Sequence, residues 1–327
     1  AWSRCVLTAG AGEASGGHTA ACGDVLAMDG GTLWRLARKL RRVAERHQLS
    51  AVPSHPRHLP RCQRSLLVLR RADLGPGCPA AWWLQYDTDE FGWFCGEHLT
   101  SVPCGLKIWA PAVAMCRHFA GPGAAEVAGQ ACLELGCGVG SLSTVLALAG
   151  AWRVLATDAN AACLRVALLN ARLNGARHVE TAMLHYGSAE ASRFREARGR
   201  FGLIFGADVV YSEDAVAPLF ETARALLAPG GRFLLGFVPR SQALVERLQR
   251  GARNAGFSFV RSCLAGRPAG APTPREGMGG KLAELQEQLR GLPAADAHLR
   301  ESEDSVELYA FCSAAGAAEA VDLSALD

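Results

Sequence analysis

The sequence predicts an α/β fold: a seven-stranded, mainly parallel sheet with helices on both faces and an antiparallel last strand, behind an N-terminal accessory region. Three observations carry that expectation. From residue 105 onward, short apolar runs alternate with helix-length segments, the pattern of parallel strands buried on both faces. One apolar run, residues 131–135, enters a glycine-rich turn holding Gly136, Gly138 and Gly140, and a helix follows. The next apolar run ends in an acid, Asp158, twenty residues beyond the central glycine, which completes a βαβ unit.

The elements follow in order. Residues 1–31 are rich in Gly, Ala, Ser and Thr and are expected to lack regular structure. Thr32 can cap a helix running to about His47, with Leu33, Leu36, Leu40 and Val43 on one face and Arg35, Lys39, Arg42 and Arg46 largely on the other. Three prolines make residues 51–62 a linker, and residues 65–69 and 82–86 read as short strands of a hairpin, so that 32–104 forms the accessory region.

The main domain then spans 105–313. Residues 108–119 have helical spacing; a helix at 141–149 ends at Gly150; the next helix, 161–173, is closed by Asn174 and Gly175. A third strand is expected near 181–184 and a fourth over 202–207. The helix 215–227 is stopped by Pro229, Gly230 and Gly231, and strand 232–238, helix 241–255 and strand 256–263 succeed it. Glycine, proline and a charged helix near 281–289 mark 265–303 as an insertion, 305–312 alternates as a final strand returning antiparallel beside the sixth, and 314–327 reads as a mobile tail.

Composition narrows the classes. Half of the 327 residues are apolar and the net charge is +3, yet residues 1–80 hold twelve Lys or Arg against five acids. That basic helix suits RNA, an acidic protein or a membrane surface, or is a solvated face; the Arg-rich leader also fits an organelle transit peptide. Twelve cysteines without C-x-x-C pairs point to reduced thiols in cytosol or nucleus and to no metal site; His55 and His58 lack further ligands. Cys132 and Cys137, flanking the glycine turn, read as small buried fillers. Arg153 and Asp158 interrupt the best apolar stretch, so no membrane span is expected. The first residue is Ala1, which fits a fragment or a processed product.

The turn is where chemistry concentrates. Its glycines let the backbone adopt positive φ and approach a ligand, and Asp158 can accept hydrogen bonds from vicinal ribose hydroxyls. A dinucleotide fingerprint would put glycine where Ser141 stands. Glu134, two residues ahead of Gly136, gives E-x-G-x-G-x-G, which suits S-adenosylmethionine, whose ammonium and sulfonium favour nearby carboxylates. A nicotinamide or flavin nucleotide and a ligand-free turn are the alternatives.

Four motifs resemble the seven-β-strand methyltransferases and, within them, the protein-lysine methyltransferases often called family 16: Gly105 to Trp109, Glu134 to Gly140, Leu184 to Gly187 and Gly206 to Tyr211. The resemblance covers residues 105–264 and the last strand. It implies a Rossmann-like fold, S-adenosyl-L-methionine as cofactor and a lysine-bearing protein as substrate. It also implies that Trp109 lines the cofactor, that Gly136, Cys137 and Gly138 pass under its methionine part, that Asp158 takes the ribose, and that Ala207 contributes its backbone. At the adenine, His185 and Tyr186 replace the family's usual Asp-Trp pair; an imidazole still accepts one hydrogen bond and a phenol ring still stacks. Asp208 and Tyr211, at the carboxyl end of the fourth strand, would be catalytic: Asp208 would attract the ammonium, orient the amine and receive its proton through water, and Tyr211 would supply a wall and a phenol oxygen. The plain alternatives are a core indole at 109, a solvated carboxylate at 208 and a core tyrosine at 211.

Other functions share the fold. Adenine-modifying enzymes use Asn or Asp followed by two prolines and an aromatic, and residues 208–211 lack those prolines. Histidine or small-molecule methylation, or a non-catalytic scaffold that keeps the fold, completes the set of readings.

Overall fold

The computed structural model describes residues 3–7, 30–46, 66–75, 78, 80–87, 104–264 and 306–313. In chain order its elements are β1 (Ser3–Leu7), α1 (Gly30–Arg46), β2 (Leu66–Ala72), β3 (Ala81–Asp87), α2 (Ala110–Ala120), α3 (Ala124–Val127), β4 (Ala131–Leu135), α4 (Ser141–Leu148), β5 (Arg153–Asp158), α5 (Ala161–Leu173), β6 (Val179–Met183), α6 (Ser188–Arg198), β7 (Phe201–Ala207), α7 (Val216–Leu226), β8 (Leu227–Phe237), α8 (Gln242–Asn254), β9 (Phe257–Cys263) and β10 (Glu307–Ser313). Seven strands form one sheet in the order β6-β5-β4-β7-β8-β10-β9. The pairs β4 with β5, β5 with β6 and β7 with β8 run parallel, whereas β10 pairs antiparallel with both β8 and β9. This is the expected architecture, with the last strand inserted between β8 and β9.

Two compact units divide the chain, residues 1–108 with 116–184 and residues 109–115 with 185–327. In the first, β4 and β5 read as near-continuous apolar runs because both faces are covered, and Leu133, Val154 and Leu155 are fully buried. The predicted hairpin is present: β2 pairs antiparallel with β3. β1 joins it on the far side of β2, within the leader expected to be irregular. Its Cys5-Val6-Leu7 run has the apolar, β-branched character that pairs with residues 67–69.

The outer edge of β3 meets side chains instead of a strand. Asn170 Oδ1 accepts from Leu84 N at 2.7 Å and its Nδ2 donates to Leu84 O at 3.0 Å; Asn174 repeats the pattern on Trp82 at 2.7 Å in both directions. One helical turn along α5 thus matches two residues of strand, about 6 Å against about 6.7 Å. Arg41 of α1 adds a bond from Nη1 to Leu173 O at 2.6 Å.

The second unit is built on aromatic rings. Phe220 of α7 packs edge-on against Phe311 of β10 at 5.0 Å, and Phe233 and Tyr309 stack on Phe311 at 5.5 and 5.7 Å. Such pairs add about 1 kcal/mol beyond their buried area. The structure departs from the sequence expectation in one added helix and one strand boundary. α6 was not anticipated, because among its side chains Ala191 alone is buried and no apolar stripe announces it. β8 starts at Leu227 instead of 232, taking in Pro229, Gly230 and Gly231 through a register shift opposite Phe201 and Leu203. The linker at 51–62, the insertion at 265–303 and the tail from 314 lie outside the described residues.

Candidate functional site

In the first unit, β4 ends in a turn whose Gly136, Gly138 and Gly140 have φ of 67°, 52° and 70°. That left-handed region is open to glycine without steric cost. Gly138 is constrained twice, since a Cβ there would lie 2.4 Å from the carbonyl oxygen of Gly105. Backbone bonds fix the turn between the strands: Cys137 N donates to Thr157 O at 2.8 Å, Gly140 N to Cys137 O at 2.8 Å, and the Thr157 hydroxyl to Glu134 O at 2.6 Å.

Two carboxylates serve this turn differently. Asp158, half-buried at the tip of β5, accepts from Gly138 N at 2.9 Å on Oδ2 and from Asn160 N at 2.8 Å on Oδ1. Each oxygen has a second lone pair, so both can still accept from a ribose. Glu134 is 2% exposed and accepts from Ser143 N at 2.8 Å and from the Ser143 hydroxyl, within the first turn of α4. Burial pushes its carboxyl up to about 7; the Ser143 bonds pull it back and the Asp158 charge adds to the rise. The set of glycine backbone, amides and two acids fits a small ligand that carries a ribose and positive charge. Cys137 is buried, and burial together with Glu134 and Asp158 holds its thiol well above the ordinary range, so it is a filler and no thiolate nucleophile. Burial alone pushes Cys132 up to about 12.

In the second unit, Trp109 is half-buried and opens α2, its carbonyl accepting from Ala112 N at 3.1 Å and Val113 N at 3.2 Å. His185 is exposed and Tyr186 half-buried. Gly187 follows, and its N donates to Thr222 Oγ1 at 2.9 Å. Ala207 is the last residue of β7. Asp208 then leaves the strand at φ 58°, alone among the described non-glycine residues in having positive φ. Aspartate tolerates that region better than most side chains. Its N donates to Gly236 O at 3.0 Å, its side chain is 4% exposed, and Oδ2 accepts from Arg240 Nη2 at 2.7 Å. Oδ1 is buried with no hydrogen-bond partner among the described residues. Tyr211 is 64% exposed. Asp208 is therefore no solvated carboxylate, and Tyr211 is no core residue.

Three residues escaped the sequence reading. Ser143, which holds Glu134, and Arg240, which holds Asp208, act across nine and thirty-two residues, with no local pattern to announce them. Asn160 had a signal: an Asp158-x-Asn160 turn in which Asn160 also accepts from Ala162 N at 2.8 Å, capping α5. A cleft of about 310 Å³ lined by Arg200, Arg224, Pro229, Gly256 and Phe257 opens at the start of β7, at the opposite end of that strand from Asp208.

Residues 95–249 match the family described as lysine methyltransferase. The protein N-lysine methyltransferase METTL21A of Mus musculus is 32% identical over 129 residues, which span 39% of this chain and 58% of that relative's length. Among solved structures, the ribosomal protein L11 methylase of Lactobacillus delbrueckii subsp. bulgaricus superposes with a TM-score of 0.39 at 16% identity, covering 62% of this chain and 76% of that one. The magnesium protoporphyrin IX methyltransferase of Synechocystis PCC 6803, solved with bound SAM, gives a TM-score of 0.40 at 19% identity over 62% of this chain and 80% of that one.

Proposed function

We propose that this chain, whose residues 95–249 match the lysine methyltransferase family, is an S-adenosylmethionine-dependent protein-lysine N-methyltransferase. The observation that carries the proposal is Asp208: a strand-end carboxylate, nearly buried, at positive φ, with one oxygen that has no partner among the described residues. Such a group is costly unless something else completes it. An arriving lysine amine does so.

When bound, S-adenosylmethionine supplies a methyl group on a cationic sulfur, open to in-line attack by a nitrogen lone pair. The chain's own residues do the rest. Asp158 would accept the ribose hydroxyls, and the glycine turn would bring backbone close to the methionine part, with Glu134 bracing the turn against α4 through Ser143. By the family resemblance, Trp109, His185, Tyr186 and the backbone of Ala207 would be further cofactor contacts. A lysine ammonium has no lone pair, and making it neutral at pH 7.4 costs about 4 kcal/mol from an ordinary pKa of about 10.4. Burial and the neighbouring positive sulfur lower that pKa; Asp208 Oδ1 orients the nitrogen, and Tyr211 borders the side chain as it enters.

The substrate is a lysine-bearing protein, and the exposed Arg35, Arg38, Lys39, Arg42 and Arg46 of α1 offer a face to an acidic protein or RNA. Among the described residues no helix is long and apolar enough to cross a membrane. The proposed address is cytosol or nucleus, consistent with free thiols at Cys116, Cys132, Cys137 and Cys163. Radiolabelled S-adenosylmethionine incubated with the purified chain and cell lysate tests the reading. A labelled protein band whose label maps to lysine is expected; label on nucleic acid, on histidine or on small molecules, or no label, overturns it.

A further inference from the structure

We infer that Arg240 is a positioning residue for the proposed lysine methylation: it fixes Asp208 through Oδ2 and offsets its charge, so that the amine meeting Oδ1 is held in its neutral form. The inference rests on that reading and adds a residue to it.

A carboxylate at this position sets two effects against each other. A carboxylate beside a lysine attracts the ammonium, yet an opposite charge at that distance also raises the amine pKa, which works against the deprotonation that transfer requires. Asp208 alone would bind the substrate in its unreactive form. Arg240 removes the conflict. Its guanidinium Nη2 lies 2.7 Å from Oδ2, so the pair carries no net charge, while Oδ1 keeps its lone pairs and has no other partner among the described residues. The orientation is fixed from two directions. Asp208 N is tied to Gly236 O in β8, and Arg240 follows β8 by three residues, so backbone and side chain are both referred to one strand. The remaining ionisable groups on Asp208's own segment, Tyr211, Glu213 and Asp214, are exposed to solvent.

The chemical step then balances. The ammonium gives one proton to water, and the amine donates a hydrogen bond to Oδ1. Its lone pair forms the N–CH₃ bond as the S–CH₃ bond breaks, and that electron pair returns to sulfur, which leaves as a neutral thioether. Arg240 touches neither reacting atom and acts through Asp208.

The test is the pH dependence of label transfer from S-adenosylmethionine to the labelled lysate band, for the wild-type chain, Arg240→Gln and Arg240→Lys. Losing the guanidinium should move the rising limb of the rate to higher pH by about one unit, a loss of about tenfold at pH 7.4 that recovers to within about threefold near pH 9.5. Arg240→Lys should keep the limb at its wild-type position. Affinity for S-adenosylhomocysteine, read by calorimetry, should stay within about twofold in both variants. A limb that does not move in Arg240→Gln overturns the inference. So does a loss equal at every pH or shared by the lysine variant, since either marks a merely structural arginine. A wild-type chain that binds S-adenosylhomocysteine but labels no lysine overturns the methylation reading itself, and the role of Arg240 with it.

Discussion

The glycine turn and the end of β7 both present a carboxylate at the tip of a parallel strand, and they treat it in opposite ways. Asp158 has a backbone amide on each oxygen, from Gly138 and Asn160, and positive φ nearby falls on glycines. Asp208 has positive φ on its own backbone, one oxygen on Arg240 and the other without a partner among the described residues. The first arrangement is satisfied before any ligand arrives. The second is left incomplete, with strain of order 1–3 kcal/mol held by the surrounding strand bonds. On the proposed reading, the acid that would hold the ribose is completed by its own fold, and the acid that would meet the amine is left for the substrate to complete.

Mutation can break that contrast. Asp208→Ala should have the largest effect, a fall in labelled product of about a thousandfold with S-adenosylhomocysteine affinity nearly unchanged. Activity at the wild-type rate would remove the catalytic role and the contrast together. Asp158→Ala should act the other way round, weakening S-adenosylhomocysteine by about tenfold to a hundredfold in calorimetry, for one or two charge-assisted bonds lost. Unchanged affinity would mean that the ribose sits elsewhere.

Glu134 sharpens the comparison with a smaller effect that needs no substrate. Its folded-state pKa is raised to about 7 from 4.5, so the folded protein binds that proton more tightly than the unfolded chain does. Its contribution to stability is present below pH 4.5 and is lost progressively as pH rises through 7, up to about 3 kcal/mol. Glu134→Gln keeps an acceptor for Ser143 N and should flatten that dependence. Denaturant titrations of both proteins between pH 5 and pH 8.5 measure it, and parallel curves would refute the assignment.

Most of the sheet was legible because apolar runs, glycine stops and the acid at 158 are local signals that parallel burial imposes. α6 was not, because a helix with almost no buried face leaves no period to read. The start of β8 was hidden by Pro229, Gly230 and Gly231, which ordinarily end a strand and here are accommodated by a shift in register. At the site, the glycines and Asp158 are readable from spacing, whereas Asp208 enters only through the family resemblance. The supports Ser143 and Arg240 are not readable, since a side chain that reaches across the fold obeys no interval in the sequence. The spacing of Glu134 points to an acid facing a cationic ligand; its partners in the structure are the amide and hydroxyl of Ser143.

The paired asparagines on α5 carry a different lesson. By offering a carbonyl and an amide one turn apart, Asn170 and Asn174 let a helix finish a sheet, and Asn170 is wholly enclosed in doing so. Trimming the chain at residue 105 would remove β3 and leave both amides without the strand edge they pair with. The hydrogen bonds tie residues 82 and 84 of β3 to the end of α5, so a cut between them severs a sheet edge from its helix.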